Sequence, residues 1–512
     1  MKQITLALFA FLPLLLVAQK KNKAWEKTGA TITATDLKKH LYVIASAEME
    51  GRDTPSPGLE KAANYIEEHF KMLGLKPGKG DSYRQPYPLY RDSVISSSVS
   101  VNGKMYEVNA DYQTGNNNYT AELPFSEAVF AGYGIVDDKT DSYKDLDVRG
   151  KAVIILEGAP ADYKPAQQGF QNPSGTFGKL NAASKKGAVA VLMILKTFPR
   201  RPAVNFSNWS LNGYRATVNP LLFYISENIA SAIMGEDGKG VFDKMTNNSI
   251  KGKTYRANID LTYRKTTLST HVSNVLGLIE GTDKKDEYVI ITAHYDHVGK
   301  RNDTTIFYGA DDDGSGTVSV LELAEAFAKA KAEGNGPRRS ILFMTVSGEE
   351  HGLWGSAYYA GHPVYPLEKT TVNLNIDMIG RIGNDYMKDK DSMNYVYIIG
   401  DNKLSSDLTP VTETVNNTYS KLKLDRKYND PNDPNRFYYR SDHYNFAEKG
   451  VPIIFYFNGV HPDYHRPTDT PDKIKYELMA KRARLVFYTA MEIANRDEML
   501  KRDMPLDSQQ AF

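Results

Sequence analysis

Acidic and imidazole side chains gather in short groups in the second half of this 512-residue sequence. They are His294-Tyr295-Asp296-His297, Asp311-Asp312-Asp313, Glu349-Glu350-His351, Asp377, and the trio His461, Asp463 and His465. Such residues suit metal-assisted hydrolysis, since imidazole and carboxylate bind zinc at about 2.0–2.2 Å. Two divalent ions ~3.5–4 Å apart need a carboxylate between them, and Gly309–Gly316 offers three acids for that place. His294 and Asp296 are two apart, so an extended segment turns both to one side. There the carboxylate can accept the imidazole N–H and fix its tautomer. Glu349 and Glu350 are adjacent and diverge in a turn, so one can bind metal while the other faces an attacking water.

Taken singly, each group has a plainer reading. An Asp before a helix is an ordinary cap, and two Glu after a Gly suit a solvated helix start. His-x-Asp is too short to be specific, and Asp377 suits a turn. Capping explains one acid of the Asp311–Asp313 run but not three. Position in the chain separates the two readings. From about Thr266 strands and helices alternate, the pattern of a mostly parallel sheet covered on both faces. The expected strands are Asn274–Ile279, Tyr288–Ala293, Ser340–Val346, Val372–Ile376, Tyr395–Ile399 and Pro452–Phe457. Helices are expected over Gly316–Lys331, with an apolar stripe at Val320, Leu323, Ala324 and Phe327, and over Ile474–Asn495. Functional groups collect at the carboxyl ends of strands in such a sheet. His294, Glu349-Glu350, Asp377 and the His461–His465 loop all follow strands, so they converge on one rim.

Upstream, apolar residues spaced three and four apart predict helices within Thr35–Leu75, joined by the turn-rich connector Gly51–Gly58. Between Val94 and Tyr263 the texture changes to short strands and long polar loops, with buried-strand candidates at Lys151–Leu156 and Gly187–Ile194 and a helix at Lys179–Lys186. Lys2, the apolar run Ile4–Val17 and Ala18 read as a secretory signal peptide over residues 1–18. The run is short for a membrane span, so no stable membrane insertion is expected once it is removed. The chain has no cysteine, which excludes disulfides, thiolate ligands and a cysteine nucleophile. A net charge of +1 with no long block of like charge gives no sign of nucleic acid as a partner.

Thr292–Gly299, Gly309–Gly316, Ser347–Ser356, Asn375–Arg381 and Tyr464–Thr470 together resemble the M28 zinc exopeptidases, in the family's order across Thr266–Asn495. Residues 19–93 resemble the leading part of the same peptidase domain, and 264–512 its main part. The β-rich insertion 94–263 resembles a protease-associated domain. The resemblance implies two zinc ions. His294 and Asp377 would hold one, Glu350 and His465 the other, and Asp312 would bridge them, with a cis peptide just after it. It also implies Glu349 as general base, Asp296 orienting His294, and Tyr464 hydrogen-bonded to the oxyanion. The implied activity is that of an aminopeptidase acting on peptides in a periplasm or outside the cell. Dipeptidase, carboxypeptidase and glutaminyl cyclase relatives, or a non-catalytic binding module, are the competing readings. Arg381 and Ser441-Asp442-His443 fall near the same rim with no assigned role, and nothing in the sequence fixes an oligomeric state.

Overall fold

Every residue of the runs Ala152–Leu156, Ala190–Ile194, Arg339–Val346 and Thr370–Ile376 is buried, as expected of strands covered on both faces. The computed structural model describes residues 21–506 except 166–168, 170–171, 201–208 and 215–217. The signal-peptide reading of residues 1–18 therefore lies outside the described residues. The chain forms two compact units, one from the segments up to Tyr87 and from His271 onward, the other Pro88–Thr270. Both boundaries fall inside long strands, Arg84–Val101 and Lys253–Ile279, so no turn marks the change.

In the first unit the elements that bear on the site are α1 (Ala34–Ile44), α2 (Pro57–Met72), the part of β1 (Lys253–Ile279) from His271 onward, β2 (Lys284–His294), α3 (Gly316–Ala332), β3 (Arg339–Val346) and α4 (Trp354–Gly361). They continue with β4 (Thr370–Ile376), β5 (Tyr395–Ile399), β6 (Lys423–Asp425), α5 (His443–Ala447), β7 (Ile453–Phe457) and α6 (Tyr476–Asn495). The sheet order is β6-β5-β7-β4-β2-β3-β1. The central neighbours β3–β2–β4–β7 are parallel, while β1 pairs with β3, and β5 with β7, in the antiparallel sense. The expected α/β architecture is therefore present.

Alternation along the strands divides the core in two. Tyr288, Ile290, Leu342, Met344 and Phe455 form one cluster with Tyr359 of α4 and Phe446 of α5. On the opposite face Phe343 meets Phe70 of α2 and Phe327 of α3, and Phe327 packs edge-on against Phe487 of α6.

In the second unit Ala121–Phe130, Ala152–Leu156, Ala190–Ile194 and Leu221–Ile225 lie parallel in that order. Ala152, Ile154 and Leu156 enter one apolar cluster, Val153 and Ile155 another. Helix Thr176–Lys185 covers most of the helix expected over Lys179–Lys186, while Glu227–Met234 is a further helix that the sequence reading did not mark.

Candidate metal centre

β2 ends on His294, β3 runs into Ser347-Gly348-Glu349-Glu350, and β4 runs into Asp377. In register, His294 stands opposite Val346, and Thr292 opposite Asn375. Parallel strands in this register finish along one edge, and the site collects there. The acids of Asp311–Asp313 come from the turn leading into α3. That turn needs glycine at its start: Gly309 has φ +55, and a Cβ there would lie 2.4 Å from the Asp312 carbonyl oxygen and 2.5 Å from the His297 ring. The Asp312–Asp313 peptide is cis, as the resemblance implies.

The residues named from sequence come together around Asp312. One of its oxygens lies 3.3 Å from His294 Nε2, the other 3.0 Å from His465 Nε2. His294 Nε2 is also 3.7 Å from Asp377 Oδ1 and 3.8 Å from Glu349 Oε2, and His465 Nε2 is 3.0 Å from Glu350 Oε2. Buried side-chain atoms normally find hydrogen-bond partners. Yet His294 Nε2, Asp312 Oδ2 and Glu350 Oε1 are buried and make no hydrogen bond. Atoms this close that do not bond to one another face shared points between them. Ligands at tetrahedral zinc stand ~3.3 Å apart, the spacing seen here, and imidazole with carboxylate is a zinc donor set. The residues fit the metal.

The surroundings assign further roles. His294 Nδ1 lies 3.1 Å from the Asp296 carbonyl oxygen, an orientation that leaves Nε2 open. The Asp296 carboxylate accepts the backbone N–H groups of Glu349 and Glu350 at 3.2 and 3.4 Å, so it also holds the turn carrying both Glu. Asp313 is the capping acid of its run, accepting from Gly316 N at 2.7 Å and Met378 N at 3.0 Å. Asp311 turns away to Gly380 N at 2.6 Å and His461 Nε2 at 3.1 Å. Asp469 Oδ2 accepts the backbone N–H groups of Asp311 and Asp312. Ser441 donates to Asp377 Oδ2 at 2.6 Å, while His443 stacks on Phe455 in the core. Arg381 pairs with Asp463 at 2.8 Å and with Asp469 at 3.5 Å. Tyr464 stacks on His465 with ring centres 3.9 Å apart and lines the cleft beside Glu349 and Asp377.

Two functional residues escaped the reading of the sequence. His297 is fully buried, with Nδ1 2.8 Å from Glu350 Oε1 and 3.8 Å from Asp312 Oδ2. It directly follows the His-x-Asp pair, and its histidine type was the only signal. Arg52, in the turn-rich connector, is also fully buried and donates to the carbonyls of Ile44, Tyr295, Tyr308 and Gly309.

Charge crowding sets the acidities. Burial pushes Asp312 up, but contacts with His294 and His465 outweigh it and hold the carboxyl well below its usual range. Burial and Asp312 press Glu350 upward, while His297 and His465 pull it down to about 2. Burial lowers His465, but Asp312 and Glu350 carry it up to about 10. Glu349 moves the other way: burial raises it well above the carboxylate range, helped by Glu350, Asp377 and Asp442, with His294 opposing. A carboxyl that both takes and returns a proton gains from such a rise.

Comparison with known proteins places this site in a class. Residues 274–490 match the model of peptidase family M28 and contain all five sequence motifs. The chain is 32% identical over 216 residues to a "Probable leucine aminopeptidase" of Arthroderma otae (strain ATCC MYA-4605 / CBS 113480), covering 41% of this chain and 55% of that protein. It is 28% identical over 250 residues to "Aminopeptidase YwaD" of Bacillus subtilis (strain 168), covering 47% of this chain and 49% of the relative. The chain thus spans about half the length of these curated relatives. Among solved structures, the aminopeptidase from Aneurinibacillus sp. strain AM-1 superposes with a TM-score of 0.52 at 22% identity, covering 94% of this chain and 98% of that one. For BSAP, a zinc aminopeptidase from Bacillus subtilis, the values are 0.50, 19%, 93% and 99%. At those identities the likeness is one of fold. The segment 274–490 is a peptidase family M28 domain.

Proposed function

We propose that this chain is an exported aminopeptidase with two zinc ions, hydrolysing N-terminal residues from peptides. The observation that carries the reading is the set of open ligand atoms on His294, Asp312 and Glu350 beside a Glu349 that binds nothing else. His294 and Asp377 would hold one ion and Glu350 and His465 the other, with Asp312 between them. Zinc in this place supplies a Lewis acid for the peptide carbonyl and lowers the pKa of water.

The chain's own groups do the rest. Glu349 accepts a proton from the attacking water and returns it to the amine nitrogen as the C–N bond breaks. The Tyr464 hydroxyl donates a hydrogen bond to the oxygen that becomes negative. Phe437, Phe455, Phe457, Val460 and Met378 wall the cleft around Glu349 and Asp377, which suits an apolar first side chain beside a cationic amino terminus.

Export rests on the apolar leader, and among the described residues no helix is long and apolar enough to cross a membrane. The inserted unit is read as a protease-associated domain. The deciding experiment is a mass-spectrometric digest of peptides with free and N-acetylated amino termini by zinc-loaded protein. Ladders shortening only from free amino termini are expected. Loss from the carboxyl end, or intact peptides throughout, would overturn the proposal.

A further inference from the structure

The cleft contains one cation among its lining residues, Arg440, and its position relative to Tyr464 suggests what it reads. Its guanidinium lies over the Phe437 ring, 5.0 Å from the centroid, and Nη2 is 3.5 Å from the Tyr464 hydroxyl. No carboxylate among the described residues pairs with it. The nearby cations differ. Arg381 is committed to Asp463 and Asp469, and Arg52 is enclosed by backbone carbonyls. An exposed guanidinium held by an aromatic face, with its charge unmet, is a receiver for a carboxylate.

Building on the proposed aminopeptidase reading, we infer that Arg440 binds the terminal carboxylate of dipeptides and makes them the preferred substrates. With the Tyr464 hydroxyl at the oxygen of the scissile carbonyl, the next backbone carbonyl lies one residue further on. Arg440 Nη2 reaches to 3.5 Å from that hydroxyl, so the guanidinium borders the place of this next carbonyl. In a dipeptide the group at that place is the α-carboxylate, and a guanidinium can grip both its oxygens. In a longer peptide the same place holds a neutral amide, which offers a single oxygen and no charge.

The test is the ratio of kcat/KM for Leu-Ala to that for Leu-Ala amide, in zinc-loaded wild type, Arg440→Met and Arg440→Lys. A charge-assisted hydrogen bond at an exposed site corresponds to roughly tenfold. Wild type is expected to favour the acid by about that factor, chiefly through KM. The ratio should fall to about one in Arg440→Met and be partly kept in Arg440→Lys. Equal rates for acid and amide in wild type, or an unchanged ratio in Arg440→Met, would overturn the inference while leaving the aminopeptidase reading intact. A ratio that depends on Arg440 only between Leu-Asp amide and Leu-Asn amide would overturn it in favour of a side-chain carboxylate. Failure to cleave either Leu-Ala or its amide would overturn the aminopeptidase reading itself.

Discussion

Removing the Arg52 guanidinium should loosen the metal centre without touching any ligand. The side chain has no solvent exposure, and its Nε donates to Tyr295 O at 2.7 Å. Nη1 donates to Ile44 O at 2.7 Å and Tyr308 O at 2.9 Å, and Nη2 to Gly309 O at 2.9 Å. These carbonyls belong to the end of α1, the residue after His294, and the entry to the Asp311–Asp313 turn. One planar group therefore ties three segments together. The backbone completes the tie: Gly299 N donates to Gly51 O, and His297 N to Arg52 O. Gly51 has φ +71 and fits so closely that a Cβ would lie 2.3 Å from the Gly299 carbonyl oxygen.

In Arg52→Met the carbonyls of Ile44, Tyr295 and Tyr308 would lose this donor with none in its place, while Gly309 O keeps the N–H of Gly314. Each orphaned acceptor costs roughly 1–3 kcal/mol. Recovered desolvation of the lost charge offsets several kcal/mol. The expected net loss is therefore about 3–5 kcal/mol, a drop in unfolding midpoint of about 3–7 °C for a chain of this size. Arg52→Lys keeps the charge but offers donors from a single point rather than a fork, and should recover less than half of that. Differential scanning calorimetry and chelator competition, on protein with and without zinc, measure stability and metal affinity separately. Stability within about 0.5 kcal/mol of wild type and unchanged zinc affinity in Arg52→Met would refute the reasoning.

Three further outcomes are expected. Glu349→Gln should retain bound metal by elemental analysis and lose hydrolysis by at least a hundredfold, whereas Asp312→Asn should lose both; parallel losses in the two would show that Glu349 is a ligand. His297→Gln removes the imidazole beside Glu350 and should weaken zinc binding by roughly 10–100-fold in chelator competition; unchanged affinity would make His297 a packing residue only. Glu322, buried on α3 beside His40, is raised to about 8 by burial first and by Glu325 and Asp36 next. A raised carboxyl contributes stability that is complete below about 4.5 and is lost as pH rises through about 8. Glu322→Gln should thus gain on wild type between pH 5 and 8 in thermal melts, by roughly 3 kcal/mol. A constant difference would mean that Glu322 is ionised and paired with His40.

Much of the framework was legible because it rests on local pattern. The continuous apolar runs marked β2, β3, β4 and β7 to within a few residues, since strands covered on both faces need no alternation. The three- and four-residue spacing marked α1, α2, α3 and α6. Residue type at the strand ends then marked His294, Glu349, Glu350, Asp377 and His465, which meet around Asp312. What stayed hidden depends on partners far away in the chain. The connector Gly51–Gly58 read as a turn from its Gly and Pro, which is locally correct. Its Arg52 matters through carbonyls 243 to 257 residues later, which no local window contains. Arg381 had no assigned role because its partners Asp463 and Asp469, which neutralise it, lie 82 and 88 residues on. His297 had the right type at a spacing with no established meaning.

Hydrogen-bond accounting sorts the acids of this centre in a way that residue type cannot. Burying so many carboxylates is costly unless each is answered, and most are. Asp296 and Asp469 each accept two backbone N–H groups. Asp313 takes those of Gly316 and Met378 on one oxygen, and Asp311 that of Gly380, while the second oxygen of each makes no hydrogen bond. Ser356 donates to Asp442, and Ser441 to Asp377, whose second oxygen stays open toward His294. Among the described residues, the carboxylates of Asp312, Glu349 and Glu350 meet only imidazoles. Acids in structural service have donors built around them, because the fold gains nothing by leaving them bare. On the proposed reading, the acids left without donors at the end of the parallel sheet take their partners from outside the chain: a metal for Asp312 and Glu350, and a proton in transit for Glu349.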